Sequence, residues 1–120
     1  MIGPGGVFTV NTKHHPDGQI WLAGDRLLVN GRARPYIRNA RHEAGRAAKL
    51  LEAAGGRPVA VTGLIVFVGT DSVSVRDVPS DVWVVSQRKL VPFLAAGPVL
   101  LEPAEVARVF ALARRSDTWQ

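Results

Sequence analysis

Residues 59–68 read Val-Ala-Val-Thr-Gly-Leu-Ile-Val-Phe-Val and stop at Gly69; Thr62 is the one polar side chain among them. A strand with one wet face alternates apolar and polar residues, and this run does not. Rich in β-branched residues, it suits a central strand that other elements cover on both faces. A chain containing it has to build layers on either side of a sheet.

The period then decides what supplies those layers. Over residues 36–54, Ile37, Ala40, Ala44, Ala47, Ala48 and Leu51 recur at helical spacing, and Gly55-Gly56 provides the stop. Arg38, His42, Arg46 and Lys49 fall on the opposite side, with Glu43 at the flank between the two. The mostly alanine stripe allows close approach to a sheet, while Gly45 weakens the middle by about 1 kcal/mol relative to alanine.

The remaining elements follow from turn chemistry and alternation. A strand over 7–13 is launched by Gly3-Pro4-Gly5-Gly6, and His14-His15-Pro16-Asp17-Gly18 makes a turn. Strands over 19–23 and 26–30 form a hairpin across Gly24-Asp25. Residues 72–78 read as a short edge strand and 82–85 as a further strand. Ser86 reads as the N-cap of a helix over 87–95, and a last helix starts near Pro103 and runs to about 115. The result is an α/β domain over 1–120, with a mixed central sheet and flanking helices.

Composition narrows the functional classes. The chain has 120 residues, no cysteine and three histidines, so disulfides and thiolate metal sites are excluded and a zinc site finds few ligands. No stretch approaches the roughly 20 apolar residues of a membrane span, which sets the expectation of a cytoplasmic protein without a membrane partner. The net charge of +5 is concentrated. Between Asp25 and Lys49, the cations Arg26, Arg32, Arg34, Arg38, Arg41, Arg46 and Lys49 face only Asp25 and Glu43, an excess equal to that of the whole chain. Such a segment suits a polyanion such as nucleic acid, and charge alone fits a solvated helix face equally well.

Along the strand over 7–13, side chains alternate, so Asn11 and Lys13 share a face. A short polar residue two positions before a lysine is one way of holding an ammonium beside a metal or a phosphate, and it is also a common strand ending. His14 and His15 are adjacent on an extended segment and point opposite ways, so they do not chelate one ion together. Gly3-Pro4-Gly5-Gly6 lacks the lysine and helix of a phosphate-binding P-loop and reads as a turn. Trp21, Trp83, Tyr36 and Phe67 are expected in the core, and Asp17 and Asp25 in turns.

Three pieces in order carry a resemblance: Ile2-Gly3-Pro4-Gly5-Gly6-Val7-Phe8-Thr9-Val10-Asn11-Thr12-Lys13-His14-His15, then Leu28-Val29-Asn30-Gly31-Arg32, then Asn39-Ala40-Arg41-His42-Glu43-Ala44. Together they resemble the nuclease-related domain (NERD) family, placed with the PD-(D/E)xK nuclease-like folds, over nearly the whole chain. The resemblance implies a restriction-endonuclease-like core and a DNA-processing role. It puts the family's (D/E)xK element on the strand ending at Lys13, with Asn11 where a carboxylate is expected. The family's earlier helix and strand, with their acids, have no counterpart before Met1, so the chain corresponds to the domain without its front end.

The resemblance thus implies a degenerate site of Lys13, Asn11 and Glu43, the last at a helix position facing the family's active site. Mg²⁺ is the implied cofactor of an active form, and a neutral amide replaces a carboxylate poorly as its ligand. Arg34, Arg38, Arg41, His42, Arg46 and Lys49 are the expected nucleic-acid contacts. Two other readings stand beside this one: an active Mg²⁺-dependent nuclease in a longer or dimeric form, and a non-catalytic protein-interaction domain. Absence of the first strand also predicts an exposed sheet edge through which a homodimer forms.

Overall fold

In the computed structural model, which describes residues 1–77, 79 and 81–120, the apolar run becomes a strand flanked by two parallel neighbours. The first sheet contains β1 (Ile2–Gly3) and β2 (Gly6–His14). The second holds β3 (Gln19–Ala23), β4 (Arg26–Val29) and β5 (Arg32–Arg34). After helix α1 (Tyr36–Gly55), β6 (Val61–Val68) returns to the first sheet, β7 (Ser72–Asp77) joins the second, and β8 (Val82–Ser86) closes the first. A 3-10 turn (Gln87–Lys89), α2 (Leu90–Ala96), α3 (Pro103–Ala113) and a final 3-10 turn (Ser116–Trp119) complete the chain. Val78, the expected end of the strand that begins at Ser72, lies outside the described residues.

The α/β class is as expected, but the strands divide into two four-stranded sheets, β1-β2-β6-β8 and β5-β4-β3-β7, rather than forming one. The physical reason lies in the hairpin. Ile20 and Leu22 of β3 and Leu27 and Val29 of β4 are fully buried against Ile65, Phe67 and Val82 of the first sheet and Ile37 and Ala40 of α1. A hairpin with one apolar face gains more by packing that face onto a core than by extending a sheet edge. β5 extends this hairpin through Asn30 and Gly31, whose φ angles of 51° and 80° make the tight reversal that an Asn-Gly pair favours.

Helix α1 presses closely on the first sheet. At Gly63 a Cβ would stand 3.1 Å from the carbonyl oxygen of Ala40, so glycine on the strand and alanine on the helix jointly set the distance. Farther along α1, Leu51 packs with Val7, Val59 and, from α3, Val109 and Leu112. The opposite face of the sheet is covered by α2, whose Leu90 and Leu94 lie on Phe8, Leu64, Val66, Val85 and Trp83. Ser86 makes no side-chain cap to this helix; the chain enters it through the 3-10 turn instead. Among the described residues, no helix is long and apolar enough to cross a membrane.

Candidate nucleic-acid interface

β2 gives its two faces to different layers. Val7 sits under α1 and α3, and Phe8 under α2. Thr9, Asn11 and Lys13 therefore point to the α1 side, where the helix runs over the strand in the opposite direction.

Three contacts define what happens there. Asn11 Nδ2 donates to Glu43 Oε2 at 2.9 Å. The Lys13 ammonium lies over the Tyr36 ring, 4.6 Å from its centroid, a cation–π contact of the kind worth about 0.5–1 kcal/mol at an exposed site. His15 Nε2 and the Tyr36 hydroxyl are hydrogen-bonded at 2.9 Å, and both rings stack obliquely on Phe67 at centroid distances of 5.9 and 6.2 Å. Lys13, Asn11 and Glu43, singled out from the sequence, thus lie along one strand–helix seam, but Lys13 reaches Tyr36 and Glu43 reaches Asn11. Tyr36 was expected in the core. It is half-buried and packs against the core around Phe67, and its aromatic face and hydroxyl also serve Lys13 and His15.

Does this seam fit Mg²⁺, the cofactor implied by the resemblance? A hard dication takes charged oxygens, and the seam offers the single carboxylate of Glu43, already accepting an amide hydrogen from Asn11. Among the described residues, no group of three or more histidines and acids is arranged to hold a metal ion. The residues present do not fit Mg²⁺.

The outward side of α1 carries the charge. Arg38, His42, Arg46 and Lys49 are all exposed and, at about 100° per residue, fall within roughly an 80° sector of the helix. The stripe spans roughly 16 Å, over which duplex DNA presents about ten phosphate charges, so each of its side chains can meet a different phosphate. None of Arg38, Arg46 and Lys49 forms an ion pair with a described residue. Arg34 adds an exposed cation on β5, immediately before the helix.

Arg41 does not belong to this group. It lies on the other flank of α1, roughly 200° around the axis from Glu43. There its guanidinium donates to Asp25 through Nη1 at 3.0 Å and Nη2 at 2.7 Å, and to Asp81 through Nε and, at 3.0 Å, Nη2. The hydrogen bonds from Arg41 hold both carboxyls below the usual aspartate range, and they push the guanidinium's own pKa upward. The fork ties the β3–β4 turn, α1 and the start of β8 together. Asp25 is a turn residue as expected, and it is also one arm of this clamp. Nothing local in the sequence announces the other arm, since Asp81 is 40 positions from Arg41.

No protein-family model matches the chain, and no curated protein or solved structure matches it either.

Proposed function

We propose that this chain is a nucleic-acid-associated domain of nuclease-related type, a NERD-like, restriction-endonuclease-like core that binds a phosphate backbone and has a degenerate metal site. The observation that carries this reading is the exposed cationic stripe of Arg38, Arg46 and Lys49, without ion-pair partners among the described residues and with His42 between them, bordering the Asn11–Glu43 seam and Lys13. Phosphate contacts of this type bind without reading bases, and their affinity falls steeply with salt. The seam supports a non-catalytic role, because an amide spent on the one nearby carboxylate leaves no ligand set for a dication.

The test combines two measurements on the purified chain. A labelled duplex should be retained at low salt and released as salt rises, and supercoiled plasmid should remain intact with Mg²⁺ or Mn²⁺. Failure to retain DNA even at about 50 mM salt would sink the binding role. Nicking that vanishes with EDTA and in Lys13→Ala would overturn the degenerate-site reading.

A second reading, a homodimer formed edge to edge, is favoured by the outer side of β2. β1 pairs only with Gly6 and Val7, and backbone hydrogen bonds between Met1 and Phe8 extend the ladder by one residue. From Thr9 to His14 that side has no partner strand among the described residues. Light scattering showing a dimer that Val10→Lys and Thr12→Lys dissociate would support this reading; a monomer at all concentrations would remove it.

A further inference from the structure

The two sheets each end in a strand whose outer side is unpaired among the described residues: β8 in the first and β7 in the second. A continuous cleft opens between them. Its apolar part, about 570 Å³, is walled by Phe8, Leu22, Val75, Trp83, Phe93 and Pro98. Its wider part, about 1050 Å³, shares Val75, Val84 and Phe93 with the first and runs out to Arg88 and Lys89.

The cleft lies along the edge of β8 rather than over one of its faces. Successive side chains of a strand point to opposite faces. Here Trp83, Val84, Val85 and Ser86, four consecutive residues, all border the cleft. Trp83 and Val85 belong to the α2 side of the sheet and Val84 to the side facing the second sheet. Only a space running beside the strand touches both sets, and such a space is where the free N–H and C=O groups of an edge point.

Apolar surface is left open at the same place. Phe93 meets the Trp83 ring edge-on at 5.2 Å between centroids, yet it stays 39% exposed, and Val75 across the cleft is 44% exposed. At the wide end Arg88 and Lys89 are exposed and form no ion pair with a described residue. Asp17 and Asp71 border the same end, where the second sheet begins. The charges at that mouth are therefore of both signs, with the positive ones where the chain leaves β8.

We infer that this cleft binds an extended peptide of a partner protein, which adds to the edge of β8 as a further strand, with apolar side chains toward Phe93 and Val75 and an acidic residue at Arg88 and Lys89. The three observations fit this occupant together. A free strand edge supplies backbone hydrogen bonds, apolar walls on both sides of it receive alternate side chains, and the cations where the chain leaves β8 receive an acid. An apolar small molecule would use the walls and leave the edge idle. Duplex DNA would be excluded by the apolar walls, which offer its phosphates no partner. The surface is separate from the cationic stripe of α1, so the inference stands or falls apart from the nucleic-acid reading.

The probe is a fluorescein-labelled peptide of about nine residues, alternating threonine and valine around a central phenylalanine, with two glutamates at one end, made in both sequence directions. Fluorescence anisotropy against the whole chain should show one direction binding in the micromolar range. N-methylation of alternate backbone nitrogens, in the register that faces β8, should weaken it at least about tenfold, because the side chains remain while the donors go. Arg88→Glu with Lys89→Glu should weaken it by a similar factor, and circular dichroism checks that these exposed substitutions leave the fold intact. Equal binding of both N-methylated registers would reduce the cleft to an apolar adhesion surface and overturn the inference. So would no binding of either direction at about 1 mM, no effect of the charge reversal, or displacement of the probe by duplex DNA.

Discussion

Asn11 donates its side-chain amide to Glu43 across the seam between β2 and α1, at 2.9 Å. The pair joins a strand position and a helix position 32 residues apart, and it places the one carboxylate of the seam on a neutral partner. The exchange Asn11→Asp tests what that amide does. It sets two carboxylates at hydrogen-bond distance, where like charge disfavours double ionisation. The variant should lose about 1 kcal/mol of stability at pH 7. Mg²⁺ at about 5 mM should restore part of it, because a dication relieves the repulsion. Thermal unfolding with and without the metal checks this: the original chain should show no response, and Glu43→Gln added to Asn11→Asp should abolish it.

The stripe and the clamp on α1 make opposite predictions for arginines only a few residues apart. Arg38 and Arg46 face solvent, whereas Arg41 is held by Asp25 and Asp81. Removing Arg38 and Arg46 together should flatten the dependence of log K on log salt by about two, one per lost phosphate contact. Arg41→Ala should leave that slope unchanged and lower the unfolding temperature instead. Anisotropy titrations over a salt series separate the cases; an equal drop in slope for Arg41→Ala would place it on the DNA after all.

The clamp also fixes how stability responds to acid. Arg41 holds the carboxyls of Asp25 and Asp81 below their ordinary value of 3.8. A depressed folded pKa means the contribution is fully present above the unfolded value and is lost as pH falls through the folded one. Asp81→Asn should therefore cost stability at pH 7, within the roughly 0.2–1 kcal/mol of solvent-screened pairs, and the gap to the original chain should close at an acid pH below the lowered folded value. Urea unfolding at both pH values measures it, and a gap that widens in acid would contradict the assignment.

What the sequence disclosed tracks how local each signal is. The helix over 36–54 and the apolar run over 59–68 appear nearly as read, because period and composition act within a few residues. The partition into two sheets was hidden, since it depends on which hydrophobic face the hairpin of Ile20, Leu22, Leu27 and Val29 finds. At the site, the shared face of Asn11 and Lys13 and the flank position of Glu43 were legible from alternation and helical spacing. The partners were not. Tyr36 under Lys13 and Asp81 on Arg41 are meetings of separate elements, decided by how α1 lies across the strands. β5 left a trace in Asn30-Gly31, but Arg32-Ala33-Arg34 carries no apolar alternation to mark it as a strand.

How α1 lies across the strands depends in turn on Gly63, and two glycines should answer the same substitution with opposite signs. At Gly63 a new methyl would meet Ala40 at 3.1 Å from its carbonyl oxygen and 3.3 Å from its Cβ. That backbone belongs to a helix anchored by Ile37, Ala44 and Leu51, all buried, so it yields only by lifting α1 off the sheet. Overpacking of this kind costs about 1–3 kcal/mol, against a gain of about 0.4–1 kcal/mol from the less flexible unfolded chain. Gly63→Ala should therefore destabilise by about 1 kcal/mol or more. Gly45 lies on the exposed side of the same helix with nothing within 4 Å of the added carbon, and only the propensity and entropy terms act. Gly45→Ala should stabilise by about 0.5–1 kcal/mol. Because Gly63→Ala displaces the helix that carries both Glu43 and the cationic stripe, it should also weaken DNA retention, while Gly45→Ala should preserve it. Denaturant unfolding and the same binding assay on the two variants test the point together, and a stabilising Gly63→Ala would show that helix and strand are not in limiting contact there.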